Sequence, residues 1–301
     1  MLALLFPGQG SQFVGMGQSL YEQSRAARAI FDEADAVLGF ALSRLCFEGP
    51  EEELRLTANT QPAILTHSVA AHAELRARAP ERIAGAAFAA GHSLGEYTAH
   101  VASGALPFAR AVSLVRSRGA FMQEAVPAGM GAMAAIVGLA AEQVEAACRE
   151  SQGNEIVTPA NYNAPEQTVI AGHASAVARA SQACLARGAK RAIALPVSAP
   201  FHCALMGPAR ERLRPLLEAA AFDRAAIPIV TNVDASPEWD GTALRDALTR
   251  QIDSPVRWVD SVRRLAREGV DAALEIGPGN VLAGLVKRID RTIRVESYSG
   301  G

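Results

Sequence analysis

The sequence predicts an α/β fold in which a β-α-β-β-α-β unit is inserted into a larger α/β domain. Three observations lead there. Short apolar segments at 2–6, 83–90, 227–233 and 270–276 each run into a turn and then a stretch with helical spacing, as strands alternating with helices do. The texture changes at Pro127, after which residues 131–197 read as strand, helix, two strands, helix and strand, the split-βαβ order of ferredoxin-like units. The length, 301 residues with 50% apolar content, suits one large or two modest domains with a sizeable core. The expected division is a larger domain from 1–126 and 198–301 and an inserted subdomain at 127–197.

Taken in order, 2–6 is a strand entering a glycine-rich turn at 7–12, whose main-chain N–H groups are of the kind that face an anion. Residues 18–38 carry helical spacing at Leu20, Ile30, Phe31, Val37 and Leu38, with Asp32, Glu33 and Asp35 on a solvated face. Residues 57–79 form a further helix, with Thr60 as N-cap and Pro62 in its first turn. His67 and His72 on it stand five apart, so they do not share a face as ligands, and no metal site is expected. The strand 83–90 leads through Gly91-His92-Ser93-Leu94-Gly95 into a helix at 93–103. Pro107 opens a helix over 107–123 that carries Arg110, Arg116 and Arg118; each is expected at the surface, because a buried arginine needs a partner.

In the inserted unit the strands are 131–138, 155–163, 167–172 and 190–197, and the helices 141–151 and 174–187. His173 falls where the second of these helices begins, in a capping or turn role. A proline-flanked loop at 198–203 holds the last histidine, His202. Helices at 208–221, 242–251, 255–268 and 281–289 and strands at 227–233 and 270–276 complete the chain. The turn Gly277-Pro278-Gly279-Asn280 lacks the G-K-[ST] ending of a phosphate loop and reads as a tight βα turn.

Composition narrows the function classes. A formal net charge of −2 gives no electrostatic basis for binding nucleic acid. No uninterrupted apolar run approaches the roughly 18 residues of a membrane span. The apolar start, Met1 to Pro7, lacks a basic leader and reads as a buried strand and not as a signal peptide. Cys46, Cys148, Cys184 and Cys203 form no C-x-x-C pair and are expected as buried thiols of a reduced, cytoplasmic protein. Lysine and arginine together number 29, of which only Lys190 and Lys287 are lysine, so Schiff-base chemistry is not expected. Nothing in the sequence sets the oligomeric state; a monomer is expected.

The chemistry centres on Ser93. A serine between two glycines at a strand-to-helix junction is the G-x-S-x-G nucleophile elbow, tight enough to require residues without Cβ on either side. The hydroxyl then stands at a helix N-terminus, which favours developing negative charge. Among the six histidines, His92 adjoins the serine and diverges from it, His100 lies two helical turns on, and His202 is the best candidate base. A hydrolase triad would need an acid between serine and histidine. No aspartate lies between Ser93 and His202, and the glutamates there fall on exposed-looking helices or turns, so a Ser–His dyad fits better.

Phe6-Pro-Gly-Gln-Gly-Ser-Gln12, Gly91-His-Ser-Leu-Gly-Glu96, Arg118-Gly-Ala-Phe-Met-Gln123, Gly131-Ala-Met133, Asn161-Tyr-Asn163 and Ala199-Pro-Phe-His202 stand in that order. Gln251 with Pro255-Val256 follows, and then Glu275-Ile-Gly-Pro-Gly279. With these motifs the chain resembles, over nearly its whole length, the malonyl-CoA:acyl-carrier-protein transacylase family of acyltransferases. The resemblance implies a hydrolase-like parallel-sheet domain with a ferredoxin-like insert. It implies malonyl transfer from a coenzyme A thioester to acyl carrier protein through an acyl-Ser93, with His202 as base and then acid and no cofactor. It further implies an oxyanion hole from the main-chain N–H groups of Gln9 and Leu94, Arg118 on the substrate carboxylate, and Gln251 orienting His202 through its main-chain carbonyl. Gln61, Met122, Asn161 and Phe201 would line the pocket, Phe201 limiting branching at the α-carbon. Three other functions stay open: a serine esterase or lipase, against which the missing acid counts; the malonyl-transfer subunit of a malonate decarboxylase or a discrete polyketide acyltransferase; and a non-enzymatic carrier-docking module, against which the intact Ser93 and His202 count.

Overall fold

The first strand, β1 (Leu2–Phe6), shows why this sheet is covered on both faces, because its residues feed two separate cores in alternation. Ala3 and Leu5 join Phe88, Val230, Trp258 and Leu285 on one side, while Leu4 and Phe6 join Leu20, Ile64 and Val115 on the other. The computed structural model describes residues 1–197 and 199–300, so Ser198, the first residue of the expected loop at 198–203, lies outside the described residues.

After β1 come α1 (Gln18–Gln23), α2 (Arg25–Leu38), α3 (Leu42–Glu48), α4 (Glu51–Arg55), α5 (Thr57–Arg78), β2 (Ala86–Gly91), α6 (Gly95–Ala102) and α7 (Phe108–Glu124). The next run is β3 (Gly131–Val137), α8 (Ala141–Ser151), β4 (Val157–Ala164), β5 (Gln167–His173), α9 (Ala174–Ala186) and β6 (Arg191–Ala194). The chain continues with α10 (Gly207–Glu218), β7 (Ile229–Val230), β8 (Pro237–Glu238), α11 (Gly241–Gln251), α12 (Trp258–Arg267), β9 (Ala272–Ile276), α13 (Val281–Ile289) and β10 (Arg294–Tyr298).

The large sheet has the order β10-β9-β1-β2-β7-β8, parallel except for the short antiparallel β8. The second sheet, β4-β5-β3-β6, is antiparallel, the ferredoxin-like arrangement that the element order predicts. Ile136, Val144, Ile170 and Val177 pack one of its faces under α8 and α9; Met133, Ala135, Val169 and Ala171 turn the other toward the larger core. Two hydrogen bonds tie β4 to the segment after α11: Tyr162 N donates to Val256 O and Val256 N to Ala160 O, both at 2.9 Å.

Several details differ from the sequence expectation. The helix over 18–38 breaks at Ser24, whose hydroxyl accepts from Ala27 N and so starts α2 afresh. Thr60 is not an N-cap: it lies inside α5 and its hydroxyl donates back to Leu54 O at 2.6 Å. Pro62 also lies inside α5, and the Ala58 carbonyl one turn before it receives Arg116 Nη1 at 2.7 Å. The proline's missing N–H thus gives Arg116 its seat. His173 is the residue before α9, but its ring accepts from Ile156 N at 2.9 Å instead of capping the helix. Glu275 settles the last glycine turn: its carboxylate accepts from Leu282 N and Ala283 N at 2.9 and 2.8 Å, filling the α13 N-terminus from within the chain.

Gly91 and Gly95 bracket a backbone approach too close for any Cβ. A Cβ on Gly95 would lie 2.0 Å from Phe6 O, and one on Gly91 1.9 Å from the Gly95 carbonyl carbon. Gly95→Ala should therefore be far more destabilising than Gly104→Ala, where φ is +76° but nothing lies within 4 Å. The second change should cost about 1–2 kcal/mol of left-handed strain, and the first more than about 4 kcal/mol, in the range of the severest point changes. Denaturant unfolding of both variants checks the order.

Candidate active site

The nucleophile elbow follows from that close approach. Only three residues separate β2 from α6, and Ser93 at their centre has φ 52°, a left-handed conformation that costs a non-glycine residue energy. Asn232 holds the turn in place. Its Oδ1 accepts from Ser93 N at 2.7 Å and its Nδ2 donates to Gly91 O at 2.7 Å. His92 diverges from the serine, and its Nε2 lies 2.7 Å from Asn163 Oδ1.

His202, also at positive φ (58°), brings Nε2 to 2.7 Å from Ser93 Oγ. Its Nδ1 lies 2.9 Å from the main-chain oxygen of Gln251, at the end of α11. A carbonyl only accepts, so Nδ1 carries the proton and Nε2 presents its lone pair to the hydroxyl. Burial, and next the neighbouring Arg118 charge, hold the ring's pKa down to about 3. The imidazole is neutral, with its Nε2 lone pair on the serine hydroxyl.

Arg118, expected at the surface, is 1% exposed. The turn of α7 that carries it packs inward, and its guanidinium lies 5.6 Å over the Tyr97 ring. Nη2 donates to Gln251 Oε1 at 2.9 Å and to Ser93 Oγ at 3.2 Å. Nε is buried with no partner, and among the described residues Arg118 makes no ion pair. Its five N–H donors thus exceed the two oxygen acceptors, Gln251 Oε1 and Ser93 Oγ, that receive them among the described residues.

Glu96 corrects the expectation that the glutamates between Ser93 and His202 are exposed. It is fully buried on the first turn of α6, because that helix packs under the elbow. Its Oε2 accepts from Gln251 Nε2 and from Asn232 N, both at 2.9 Å. Burial pushes its carboxyl up to about 7, against the pull of those donors and of Arg118. It does not reach His202, so the dyad keeps no acid.

The remaining expected residues meet in one cleft of about 110 Å³. Gln9, Gln61, Leu94, Met122, Asn161 and Phe201 line it with Ser93, Arg118 and His202. Neither Gln9 N nor Leu94 N donates to a protein acceptor among the described residues. Sequence reasoning missed Met133, Leu195 and Val197 on its walls. Met133 was legible in principle, since alternation along β3 sends it to the cleft side while Ile136 faces the helices. Of the other histidines, the His67 ring lies 3.0 Å from Ser299 O and His100 packs edge-on against Phe222, neither of them hydrogen-bonded to Ser93 among the described residues.

Residues 3–298 match the acyl transferase domain family. The chain belongs to that family. It is 50% identical over 300 residues to the malonyl CoA-acyl carrier protein transacylase of Escherichia coli K12, covering 99% of this chain and 95% of the relative. The Bacillus subtilis protein of the same name is 49% identical over 301 residues, covering 99% and 93%. Among solved structures, an acyl carrier protein S-malonyltransferase from Vibrio cholerae superposes with TM-score 0.94 at 47% identity, over 98% of this chain and 96% of that one. A malonyl-transacylase solved in complex with a type II PKS acyl-carrier protein gives 0.95 at 47%, over 100% and 96%.

In this acyl transferase the depressed histidine pKa has a testable sign. A histidine with a lowered folded pKa lends stability that is present above its ordinary range near 6.5 and is lost as pH falls toward about 3. NMR of the ring-labelled protein should show His202 neutral at pH 5. A His202 titration centred near 6.5 would contradict the burial that holds it down.

Proposed function

We propose that the protein transfers the malonyl group from malonyl-CoA to the phosphopantetheine thiol of holo acyl carrier protein by way of malonyl-Ser93. The observation that carries this is Arg118: a buried guanidinium with an unpartnered Nε, no carboxylate partner among the described residues and one nitrogen 3.2 Å from the nucleophile. A substrate with a thioester at one end and a free carboxylate at the other satisfies both groups at once. An acetyl group leaves the arginine unmatched.

His202 Nε2 takes the Ser93 proton as Oγ attacks the thioester carbonyl. We assign the resulting oxyanion to the main-chain N–H groups of Gln9 and Leu94, which line the cleft and donate to no protein acceptor among the described residues. Collapse breaks the C–S bond, and the proton held by His202 passes to the departing coenzyme A sulfur. The carrier thiol then gives its proton to His202 and attacks the ester carbonyl, and the same proton returns to Ser93 Oγ as that bond breaks. Gln251 O keeps the imidazole in the required tautomer through both halves. The relatives named above support acyl carrier protein as acceptor, and with it a supply of malonyl units for fatty-acid elongation. The solved complex with a polyketide carrier makes that carrier the second acceptor to assay.

After exposure to malonyl-CoA, intact mass should show one malonyl adduct on the wild type and none on Ser93→Ala; equal adducts would refute Ser93 as nucleophile. His202→Ala should lower transfer by about 10²-fold or more. Arg118→Ala should lose malonyl transfer by about 30- to several-thousand-fold, the equivalent of the roughly 2–5 kcal/mol of a broken buried charge pair. Acetyl transfer should hold level or rise. A parallel fall in both would assign Arg118 to the fold and not to the substrate.

A further inference from the structure

We infer that Glu96 is a positioning residue for the carboxylate-binding arginine: it fixes which way the Gln251 side-chain amide faces, and so where Arg118 stands. This rests on the transfer reaction proposed above.

Glu96 follows the nucleophile by three positions, is fully buried, and touches neither Ser93 Oγ nor His202. Gln251 Nε2 donates to Glu96 Oε2 at 2.9 Å and to Ser93 O at 3.0 Å, so both amide hydrogens are used on acceptors. Gln251 Oε1 is thereby left to receive Arg118 Nη2 at 2.9 Å. With the amide turned over, its oxygen would face a carboxylate and a carbonyl, and its NH₂ would face a guanidinium. Three mismatched contacts in a buried site forbid that state. Of the two acceptors that hold the NH₂, Ser93 O belongs to the main chain, so Glu96 Oε2 is the one set by a side chain.

No ion pair locates Arg118 among the described residues; its guanidinium is held by the Tyr97 ring, Gln251 Oε1 and Ser93 Oγ, and of these Gln251 Oε1 is the acceptor whose orientation Glu96 sets. The same residue, Gln251, holds His202 through its main chain. Glu96 also accepts from Asn232 N, and the Asn232 side chain braces the elbow. Two routes therefore lead from this carboxylate, one to the substrate-binding cation and one to the nucleophile turn, and a test must separate them.

The experiment compares kcat/KM for malonyl-CoA and for acetyl-CoA in the wild type, Glu96→Met and Glu96→Gln, with thermal unfolding as the check on folding. Glu96→Met keeps length but offers no acceptor. It should cut the malonyl-to-acetyl ratio by about ten- to a hundredfold, the scale of one buried donor left without its acceptor. The loss should fall mainly on KM for malonyl-CoA, with acetyl transfer within about threefold of wild type. Glu96→Gln, which places a neutral oxygen in the same position, should restore the ratio to within about threefold of wild type. Should Glu96→Met not fold, Glu96→Asp carries the same expectation, since its carboxylate is one methylene short of Gln251. A parallel fall in both substrates, an unchanged ratio, or a Gln variant as impaired as the Met variant would overturn the inference. Absence of malonylation in the wild type would instead overturn the proposed function.

Discussion

Arg118 is a cation taken out of water that pairs with no carboxylate among the described residues, and the rest of the site is arranged around that deficit. Moving a guanidinium into a protein interior costs several kcal/mol even after relaxation. Here the Tyr97 ring, one amide oxygen and one hydroxyl return only part of it. The unpartnered Nε is the visible remainder. An ordinary structural arginine would have collected an acid, as Arg250 does with Asp234 and Asp246. The nearest acid, Glu96, is held one amide away, so the positive end of the network stays open toward Ser93.

The fold makes this possible by bringing four distant segments to one point. The elbow delivers Ser93 because two glycines let β2, α6 and the end of β1 approach within backbone contact. The end of α11 delivers Gln251, which serves His202 with its main chain and Arg118 with its side chain. The antiparallel sheet closes the cleft with its helix-free face, and β4 is pinned to the strand-like stretch at Val256 just beyond Gln251. Carbonyl in place of carboxylate on the histidine is consistent with the charges present. Beside a buried arginine, a neutral orienting group leaves the base uncharged until it takes the serine proton.

Local geometry was legible in the sequence and burial of polar groups was not. Glycine on both sides of Ser93 encodes the elbow because the chemistry of the turn is local, and alternating elements encode the two sheets. The stretch at 39–56 showed no long apolar period, so α3 and α4, of seven and five residues, went unread. β10 was missed because it is an edge strand with exposed Arg294, Glu296 and Ser297, without the apolar signal of β1 or β9. Arg118 and Glu96 look like surface residues on amphipathic helices when each is judged alone. Both are held inside by partners distant in sequence, Gln251 bridging the two and Asn232 adding to Glu96, and that coupling is written in no local pattern. The same limit explains Thr60, whose hydroxyl donates to Leu54 O instead of accepting a main-chain N–H as a cap does.

A crystal structure of the protein trapped after reaction with malonyl-CoA tests the central claim most directly. The account predicts an ester on Ser93 Oγ whose free carboxylate lies within about 3 Å of two Arg118 nitrogens, in the fork geometry of a charge-assisted pair. An ester on Ser93 whose carboxylate points away from Arg118 would contradict it.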